Sequence, residues 1–153
     1  MITKNKIIEA QKKWGDGIVK MGSLMDNKSD CIDFTTSFLN TMYDFKNGKV
    51  LFKPTKASKE QFRTEFDMAF SYFIGGENSY CKEDDGFAMK PWIKVEFSNS
   101  GFIIDEKRAI AMGNYFFTDS NGTTVKVEYT FGYKFLNNNL VIDLHHSSLP
   151  FAS

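Results

Sequence analysis

The chain has 153 residues, a length that suits one domain with a sizeable hydrophobic core. Its 19 basic and 19 acidic side chains give a formal net charge of zero, which removes any electrostatic argument for binding nucleic acid or an anionic membrane. Aromatic residues make up 16% of the sequence, so we expect rings to line a core or a cavity. Cys31 and Cys81 lie far apart in no metal-binding or redox spacing; free thiols are the default interpretation, and one disulfide is left open.

The N-terminal segment is polar and has no apolar signal region, and no stretch approaches the length of a membrane span. We therefore expect a cytoplasmic protein if the chain is full length, and a periplasmic or organellar one if a leader was removed. There is no internal repeat, low-complexity segment or linker, so residues 1–153 are expected to form a single domain.

The first third of the sequence has helical periodicity. Apolar residues recur every three or four positions between Ile7 and Met25, which predicts an amphipathic first helix. Gly15 and Gly17 interrupt this apolar stripe at a cost of roughly 1 kcal/mol each. We expect them to allow close packing against a neighbouring backbone.

Two further helices are predicted from their end signals. A second helix would begin after a cap at Ser29 or Asp30 and end at Asn47-Gly48. Ser58 and Gln61 have capping-box spacing, which predicts a third helix that extends to about residue 73. Between the second and third helices, residues 50–53 are typical of a short strand, and the proline at position 54 stops it.

The second half of the sequence is typical of strands, with turn signals rich in Asn, Ser and Gly between them. The predicted strands are residues 92–97, 102–104, 109–117, 125–135 and 140–148. Two helices, one strand, one helix and then a run of antiparallel strands predict an α+β fold. The three helices of the N-terminal half should cover one face of a curved sheet.

The last predicted strand contains both histidines of the chain, His145 and His146, followed by two serines. Because successive side chains of a strand point to opposite faces, His146 and Ser148 would share the face of the apolar Leu140 and Ile142. An imidazole that titrates near neutrality and a hydroxyl would then point toward whatever this face encloses. The alternative interpretation is a pair of polar strand-end residues bonded to nearby backbone.

Six motifs, in order along the chain, carry a resemblance to a known family. They are Phe52-Lys53-Pro54-Thr55-Lys56-Ala57, Tyr72-Phe73-Ile74-Gly75-Gly76, Glu83-Asp84-Asp85-Gly86-Phe87-Ala88 with Pro91-Trp92, Ala111-Met112-Gly113-Asn114-Tyr115-Phe116-Phe117-Thr118, Val127-Glu128-Tyr129-Thr130-Phe131-Gly132-Tyr133 and Leu144-His145-His146-Ser147-Ser148-Leu149-Pro150. Together they resemble the iota-class carbonic anhydrases. These belong to the nuclear-transport-factor-2-like (SnoaL-like) superfamily and are related to the association domain of calcium/calmodulin-dependent protein kinase II.

The resemblance implies a cone-like fold with a bowl-shaped pocket between sheet and helices. It also implies reversible hydration of carbon dioxide to bicarbonate and a homodimer formed through the outer sheet face. In the family a Thr, a Tyr, a His and a Ser contact bicarbonate; carried over by motif, these are Thr55, Tyr72, His146 and Ser148. His146 would act as general base or hold a water, and the three hydroxyls would donate hydrogen bonds to bicarbonate oxygens.

Some of these assignments have alternatives. Tyr115, Tyr129 and Tyr133 are also candidates to reach a pocket in place of Tyr72. Thr55 follows a proline and precedes a predicted helix, so its hydroxyl is also suited to satisfying a turn.

The residues available favour a site without a cofactor. A catalytic zinc site usually has three protein ligands, whereas adjacent histidines of one strand point apart and do not easily chelate one ion. A manganese or zinc ion held by His146 with Glu128 or Asp143 is the alternative.

Two other functions compete with the anhydrase. The first is a non-catalytic association or anion-binding module like the kinase association domain. The second is a SnoaL-like isomerase or cyclase, a class that generally has an acidic base deep in its pocket. No inward carboxylate is predicted on the strands.

Overall fold

The computed structural model describes all residues, 1–153. In chain order its elements are α1 (Lys4–Ser23), α2 (Lys28–Met42), β1 (Leu51–Lys53), α3 (Phe66–Ile74), β2 (Trp92–Ile104), β3 (Arg108–Asp119), β4 (Thr124–Leu136) and β5 (Asn139–Ser148), with one 3-10 turn at Phe87–Met89. This order confirms the predicted α+β class. None of the helices has both the length and the apolarity that crossing a bilayer requires.

The five strands form one sheet in the order β1-β5-β4-β3-β2. Strands β2 to β5 pair antiparallel, as predicted, but β1 joins the edge of β5 in parallel. This parallel pairing sets Phe52 beside His145 and Lys53 beside His146. The loop that follows β1 therefore begins next to the end of β5, where the polar residues lie.

The hydrophobic core fills the space between the helices and one face of the sheet. It is a single cluster of 26 buried residues. Trp14 of α1 lies within it, stacked on Tyr115 with ring centroids 5.4 Å apart and edge-on to Phe131 at 5.6 Å. The prediction that rings line the core is confirmed. Cys31 and Cys81 are both buried free thiols.

Two glycines of α1 allow close approach of its neighbours. A Cβ placed on Gly17 would lie 2.3 Å from the ring of Phe38 in α2, a distance that real Cβ atoms do not show. A Cβ on Gly15 would lie 3.1 Å from Val95 of β2. The pair of glycines does allow close packing, but the nearest neighbours are the side chains of Phe38 and Val95 rather than the backbone that was expected.

The predicted start of the third helix is wrong. Ser58 and Gln61 do not open a helix, and α3 begins only at Phe66. The backbone N–H groups of residues 58–60 instead donate to the carboxylate of Glu83, at 2.7–3.2 Å. Because a distant carboxylate satisfies these donors, the local capping box is not used.

Three smaller boundaries also differ from the prediction. α2 ends at Met42, before the predicted end at Asn47-Gly48. α2 is capped by Asn27, whose side-chain oxygen accepts from the backbone N–H of Asp30, so the helix begins at Lys28 rather than after Ser29 or Asp30. The predicted turn at residues 99–101 is a bulge inside one long strand, β2, where the pairing with β3 shifts.

Candidate active site

The inward-facing polar residues of β5 are His145 and Ser147, with 2% and 1% of their surface exposed. His146 is exposed and Ser148 is half-buried, on the opposite face of the strand. The predicted inward placement of His146 and Ser148 is therefore wrong. His145 and Ser147 face inward instead.

A β-bulge explains why His145 and Ser147 face inward in place of His146 and Ser148. Asp143 has no partner on β4, because the pairing between the two strands slips by one residue at this point. An extra residue in one strand reverses the facing of every side chain after it. Ile142, before the bulge, is buried as the alternation predicts, whereas the inward residues after the bulge are His145 and Ser147.

The sequence contains one signal for this bulge. Gly132 interrupts the apolar pattern of β4, and an isolated glycine in a strand often marks a bulge or a close approach of another backbone. A Cβ on Gly132 would lie 2.7 Å from the Cβ of Leu144. The unpaired Asp143 is held by two hydrogen bonds from the guanidinium of Arg108, at 2.7 and 3.1 Å.

The imidazole of His145 lies between two tyrosines. Its Nδ1 is 2.9 Å from the hydroxyl of Tyr43, and its Nε2 is 3.0 Å from the hydroxyl of Tyr115. Tyr43 follows the last turn of α2, and its hydroxyl also accepts a hydrogen bond of 2.9 Å from the indole N–H of Trp14. Both ring nitrogens of His145 therefore have partners although the ring is buried.

Burial controls the charge of this histidine. Loss of hydration lowers the pKa of His145 well below its ordinary value of 6.5, and the neighbouring His146 lowers it further. The same loss of hydration raises the pKa of the Tyr43 and Tyr115 hydroxyls. At neutral pH the site thus contains a neutral imidazole between two protonated phenols.

A run of hydroxyl groups continues from Tyr115 toward the end of β1. The Tyr115 hydroxyl donates to Ser147 Oγ at 2.5 Å, and Ser147 Oγ lies 2.5 Å from Thr55 Oγ1. Thr55 reaches this position because β1 pairs in parallel with β5. The structure thus brings the predicted Thr55 to the inward serine, Ser147, and not to Ser148.

The predicted Tyr72 lies on α3 beside the same hydroxyl groups. Its hydroxyl accepts a hydrogen bond of 3.2 Å from the backbone N–H of Lys56, so its own hydrogen remains available to a ligand. Burial raises the pKa of Tyr72, which keeps that hydrogen in place.

These side chains enclose a small cavity of about 10 Å³. Its lining residues are Trp14, Phe52, Pro54, Thr55, Tyr72, Phe73, Phe87, Tyr115, His145 and Ser147. A volume of this size holds about one water molecule. Tyr72 and Phe87 also line a second cavity of about 230 Å³ on their other side. Their rings stack with centroids 5.5 Å apart and form the wall between the two cavities.

The other two candidate tyrosines do not reach this cavity. Tyr129 accepts a hydrogen bond from Gln11 at 2.8 Å and donates to Asn99 in a separate buried polar cluster. Tyr133 is fully buried, and its hydroxyl has no hydrogen-bond partner. Tyr115 was an alternative to Tyr72, and the structure places both at the site.

The carboxylates considered as metal ligands are engaged elsewhere. Glu128 accepts a hydrogen bond from Ser148 at 3.0 Å on the outer sheet face, and Asp143 pairs with Arg108. The structure groups no three His, Cys, Asp or Glu side chains in an arrangement that would hold an ion.

Comparison with known proteins identifies the family. The model of the family described as metal-independent carbonic anhydrase matches residues 5–149. A metal-independent carbonic anhydrase from Nostoc sp. (strain PCC 7120) is 36% identical over 156 residues, which cover 98% of this chain and 75% of that protein. The crystal structure of the iota-carbonic anhydrase from a cyanobacterium, complexed with bicarbonate, has a TM-score of 0.94 and 35% identity, and the match covers 99% of this chain and 94% of that chain.

More distant structures share the fold. A putative calcium/calmodulin-dependent protein kinase II association domain from Xanthomonas campestris has a TM-score of 0.63 at 18% identity, over 100% of this chain and 91% of that one. An NTF-2-like protein from Shewanella oneidensis MR-1 has a TM-score of 0.57 at 13% identity, over 96% and 99% of the two chains. These likenesses confirm the predicted nuclear-transport-factor-2-like architecture. With the family model matched from residue 5 to residue 149, the chain belongs to the metal-independent carbonic anhydrases, the iota class that its motifs resemble.

Proposed function

We propose that this protein catalyses the reversible hydration of carbon dioxide to bicarbonate, without a metal ion, at the cavity bounded by Thr55, Tyr72 and Ser147. Because this cavity holds about one water molecule, the rings of Tyr72 and Phe87 must move apart to admit carbon dioxide beside that water. The observation that carries the proposal is the buried hydrogen-bonded chain from His145 through Tyr115 and Ser147 to Thr55. The bicarbonate bound to the similar cyanobacterial enzyme and the family membership both support it.

The walls of the cavity suit carbon dioxide, which is apolar. Phe52, Phe73 and Phe87 line it together with Trp14, and they limit the access of bulk water. In such a water-poor site the few polar groups interact more strongly with developing charge than they would in water.

Thr55 and Tyr72 are the groups that we assign to the product anion. Attack of a water oxygen on carbon dioxide forms one C–O bond and moves an electron pair of a C=O bond onto its oxygen. The negative charge that develops needs hydrogen-bond donors that are already in place. The Tyr72 hydroxyl has a free hydrogen, and Thr55 ends the hydroxyl chain at the cavity.

His145 replaces the predicted His146 as the base. The attacking water must lose a proton, which passes along Thr55, Ser147 and Tyr115 to Nε2 of the imidazole, each hydroxyl accepting one proton and giving up another. A neutral imidazole is available for this step because burial lowers the pKa of His145.

The test is a stopped-flow carbon dioxide hydration assay on chelator-treated protein. His145→Ala and Ser147→Ala should each lower kcat by about 10²-fold or more, because positioned proton transfer contributes about 10²–10⁴. His146→Ala and Ser148→Ala alter the outer face and serve as matched controls that should retain activity. Equal losses from the inward and the outward pairs would contradict the proposal, as would a correctly folded wild type with no rate above buffer.

We further propose a homodimer formed through the outer face of the sheet. Ile103 of β2 pairs with Ile110 of β3, and Met112 lies two residues further along β3. Their side chains are exposed on this face, Ile103 at 67% and Met112 at 56%. A large apolar patch on a monomer is unfavourable in water, which supports a second copy of the chain as its cover. Sedimentation equilibrium should show a dimer that Ile110→Asp with Met112→Asp converts to a monomer; a monomeric wild type would refute this.

A further inference from the structure

The hydrogen-bonded chain at the site extends beyond His145 to Tyr43 and Trp14. The indole N–H of Trp14 is a donor only, so one lone pair of the Tyr43 oxygen accepts from it. The hydrogen of Tyr43 has a single partner within reach, Nδ1 of His145 at 2.9 Å. This contact can be made in two ways, because a hydroxyl both donates and accepts.

In the first arrangement every hydrogen points toward the cavity. Tyr43 donates to Nδ1, and the neutral imidazole of His145 carries its hydrogen on Nε2 and donates it to Tyr115. Tyr115 donates to Ser147, and Ser147 donates to Thr55. All these hydrogens have acceptors, and the hydrogen of Thr55 is left for a ligand. The cavity then offers a donor, which an anion requires.

In the second arrangement every one of these bonds is reversed. Thr55 donates to Ser147, Ser147 to Tyr115, and Tyr115 to Nε2 of His145. The imidazole hydrogen is on Nδ1 and is donated to Tyr43, whose oxygen then accepts two hydrogen bonds. The hydrogen of Tyr43 has no acceptor in this arrangement, so the first arrangement is the more stable one at rest. A lone pair of Thr55 now faces the cavity and can accept a hydrogen from water. This arrangement is the one that a base requires.

We propose that Tyr43 is a positioning residue that allows His145 to exchange between these two tautomers, and that the exchange converts the cavity from a bicarbonate-binding donor into a water-deprotonating acceptor. The inference rests on the proposed function above. A carboxylate in the place of Tyr43 would accept only, and would hold the hydrogen on Nδ1. A hydroxyl serves both tautomers of His145, because it donates to the bare nitrogen and accepts from the protonated one.

In the second arrangement the proton of the attacking water is accounted for, and after bicarbonate leaves it returns along the same hydroxyl groups to a water that enters the cavity. Water loses one hydrogen to Thr55, each hydroxyl passes one on, and Nε2 of His145 gains one. The resulting imidazolium has two N–H groups, and both have acceptors: Tyr115 for Nε2–H and Tyr43 for Nδ1–H. Without Tyr43 the Nδ1–H of the imidazolium would be buried with no acceptor, which is costly.

The test is Tyr43→Phe, which removes one oxygen and keeps the ring. Buried N–H groups without acceptors are rarer in proteins than unpaired acceptors, so the variant should keep Nδ1 of His145 unprotonated. We expect the first arrangement to persist, with bicarbonate affinity unchanged and kcat for hydration lowered by roughly 10²-fold. Tyr133→Phe is the matched control: its hydroxyl is buried without a partner, and both quantities should stay at wild-type values.

The direct readout is the tautomer of His145, measured by ¹⁵N NMR on histidine-labelled protein. The chain has only two histidines, so His146→Gln assigns the signals. The wild-type protein with bound bicarbonate should show the hydrogen on Nε2. The Tyr43→Phe variant should show it there both with and without bicarbonate. A wild-type bicarbonate complex with the hydrogen on Nδ1 overturns the inference even if the variant fails to fold. Wild-type kcat in Tyr43→Phe also overturns it. An inactive wild type refutes the proposed function instead, and the tautomer measurement remains independent of that result.

Discussion

The imidazole of His145 lies face to face with the ring of Phe52, with centroids 4.7 Å apart and an interplanar angle of 15°. Phe52 is the middle residue of β1, and the parallel pairing of β1 with β5 sets the two residues side by side. The same pairing brings Thr55 to Ser147. A three-residue edge strand therefore both covers the imidazole of His145 and completes the hydroxyl chain that leads to it.

Truncating the side chain of Phe52 should change both the protonation equilibrium of His145 and the stability of the folded protein. Phe52→Ala opens a cavity in a buried site and should lower the free energy of unfolding by about 3–5 kcal/mol. Water entering that space would hydrate the imidazolium, so the pKa of His145 should rise toward its ordinary value. Denaturant unfolding and an NMR pH titration measure the two effects. A pKa of His145 that stays low in a folded variant would show that Phe52 is not what desolvates the ring.

Stability should fall as pH falls below about 6.5. The unfolded chain binds a proton at His145 near its ordinary pKa of 6.5, whereas the folded protein, whose pKa is well below this value, does not. Between these two pKa values the unfolded state binds more protons, so the free energy of unfolding falls with a slope approaching about 1.4 kcal/mol per pH unit. Urea unfolding at a series of pH values measures this slope.

Two comparisons isolate the contribution of His145. His146→Ala leaves the ring of His145 buried, so this variant should keep the slope between pH 6.5 and 5. Backbone N–H groups, those of Glu60 and Ser58 above all, lower the pKa of Glu83 from 4.5 to about 2. The stability from Glu83 is present above pH 4.5 and is lost only as pH falls toward 2, so the two windows do not overlap. No slope between pH 6.5 and 5 would contradict a buried neutral His145.

Phe87 should control which ligands reach the site. Its ring and that of Tyr72 divide the cavity of about 10 Å³ from the one of about 230 Å³, and the smaller one holds only about one water. Phe87→Ala joins the two, so benzoate, which is much larger than bicarbonate, should become a stronger inhibitor of hydration while formate changes less. Phe66→Ala, which removes a ring outside both cavities, is the control. Unchanged benzoate inhibition in Phe87→Ala would show that ligands enter by another route.

The bulge on β5 should be sensitive to the size of residue 132. A Cβ on Gly132 would lie 2.7 Å from the Cβ of Leu144, so Gly132→Ala forces the strands apart where the pairing slips. We expect a loss of about 1–3 kcal/mol of stability and reduced hydration activity, because His145 and Ser147 follow the slip directly. Gly101→Ala, with open space around the added methyl group, is the matched control. Thermal unfolding measures the loss of stability, and the hydration assay measures the loss of activity. Equal stability and equal activity of the two variants would contradict the role given to Gly132.

Local patterns in the sequence were sufficient for the order of elements. The apolar stripe of α1 and the alternation along β3 and β4 depend on residues within one element, and each element has the type that they predict. Where a distant group competes, the local pattern fails. The capping box at Ser58 is unused because Glu83, far along the chain, binds the same backbone N–H groups. The composition of residues 99–101 predicts a turn, but these residues form a bulge, because only the pairing with β3 distinguishes a bulge from a turn.

By itself the sequence determined the α+β class and the family, because motifs and periodicity are properties of short stretches of chain. It also predicted Thr55 and Tyr72 as site residues, and the structure shows that both line the cavity beside Ser147. Only the tertiary structure decided which histidine and which serine face the core. The prediction of which side chains of β5 face inward assumes that each residue of β5 pairs with one residue of β4. Asp143 has no partner on β4, so the prediction fails for the residues after it. The facing of His145 and Ser147 is therefore set by the pairing of two strands, which neither strand encodes alone.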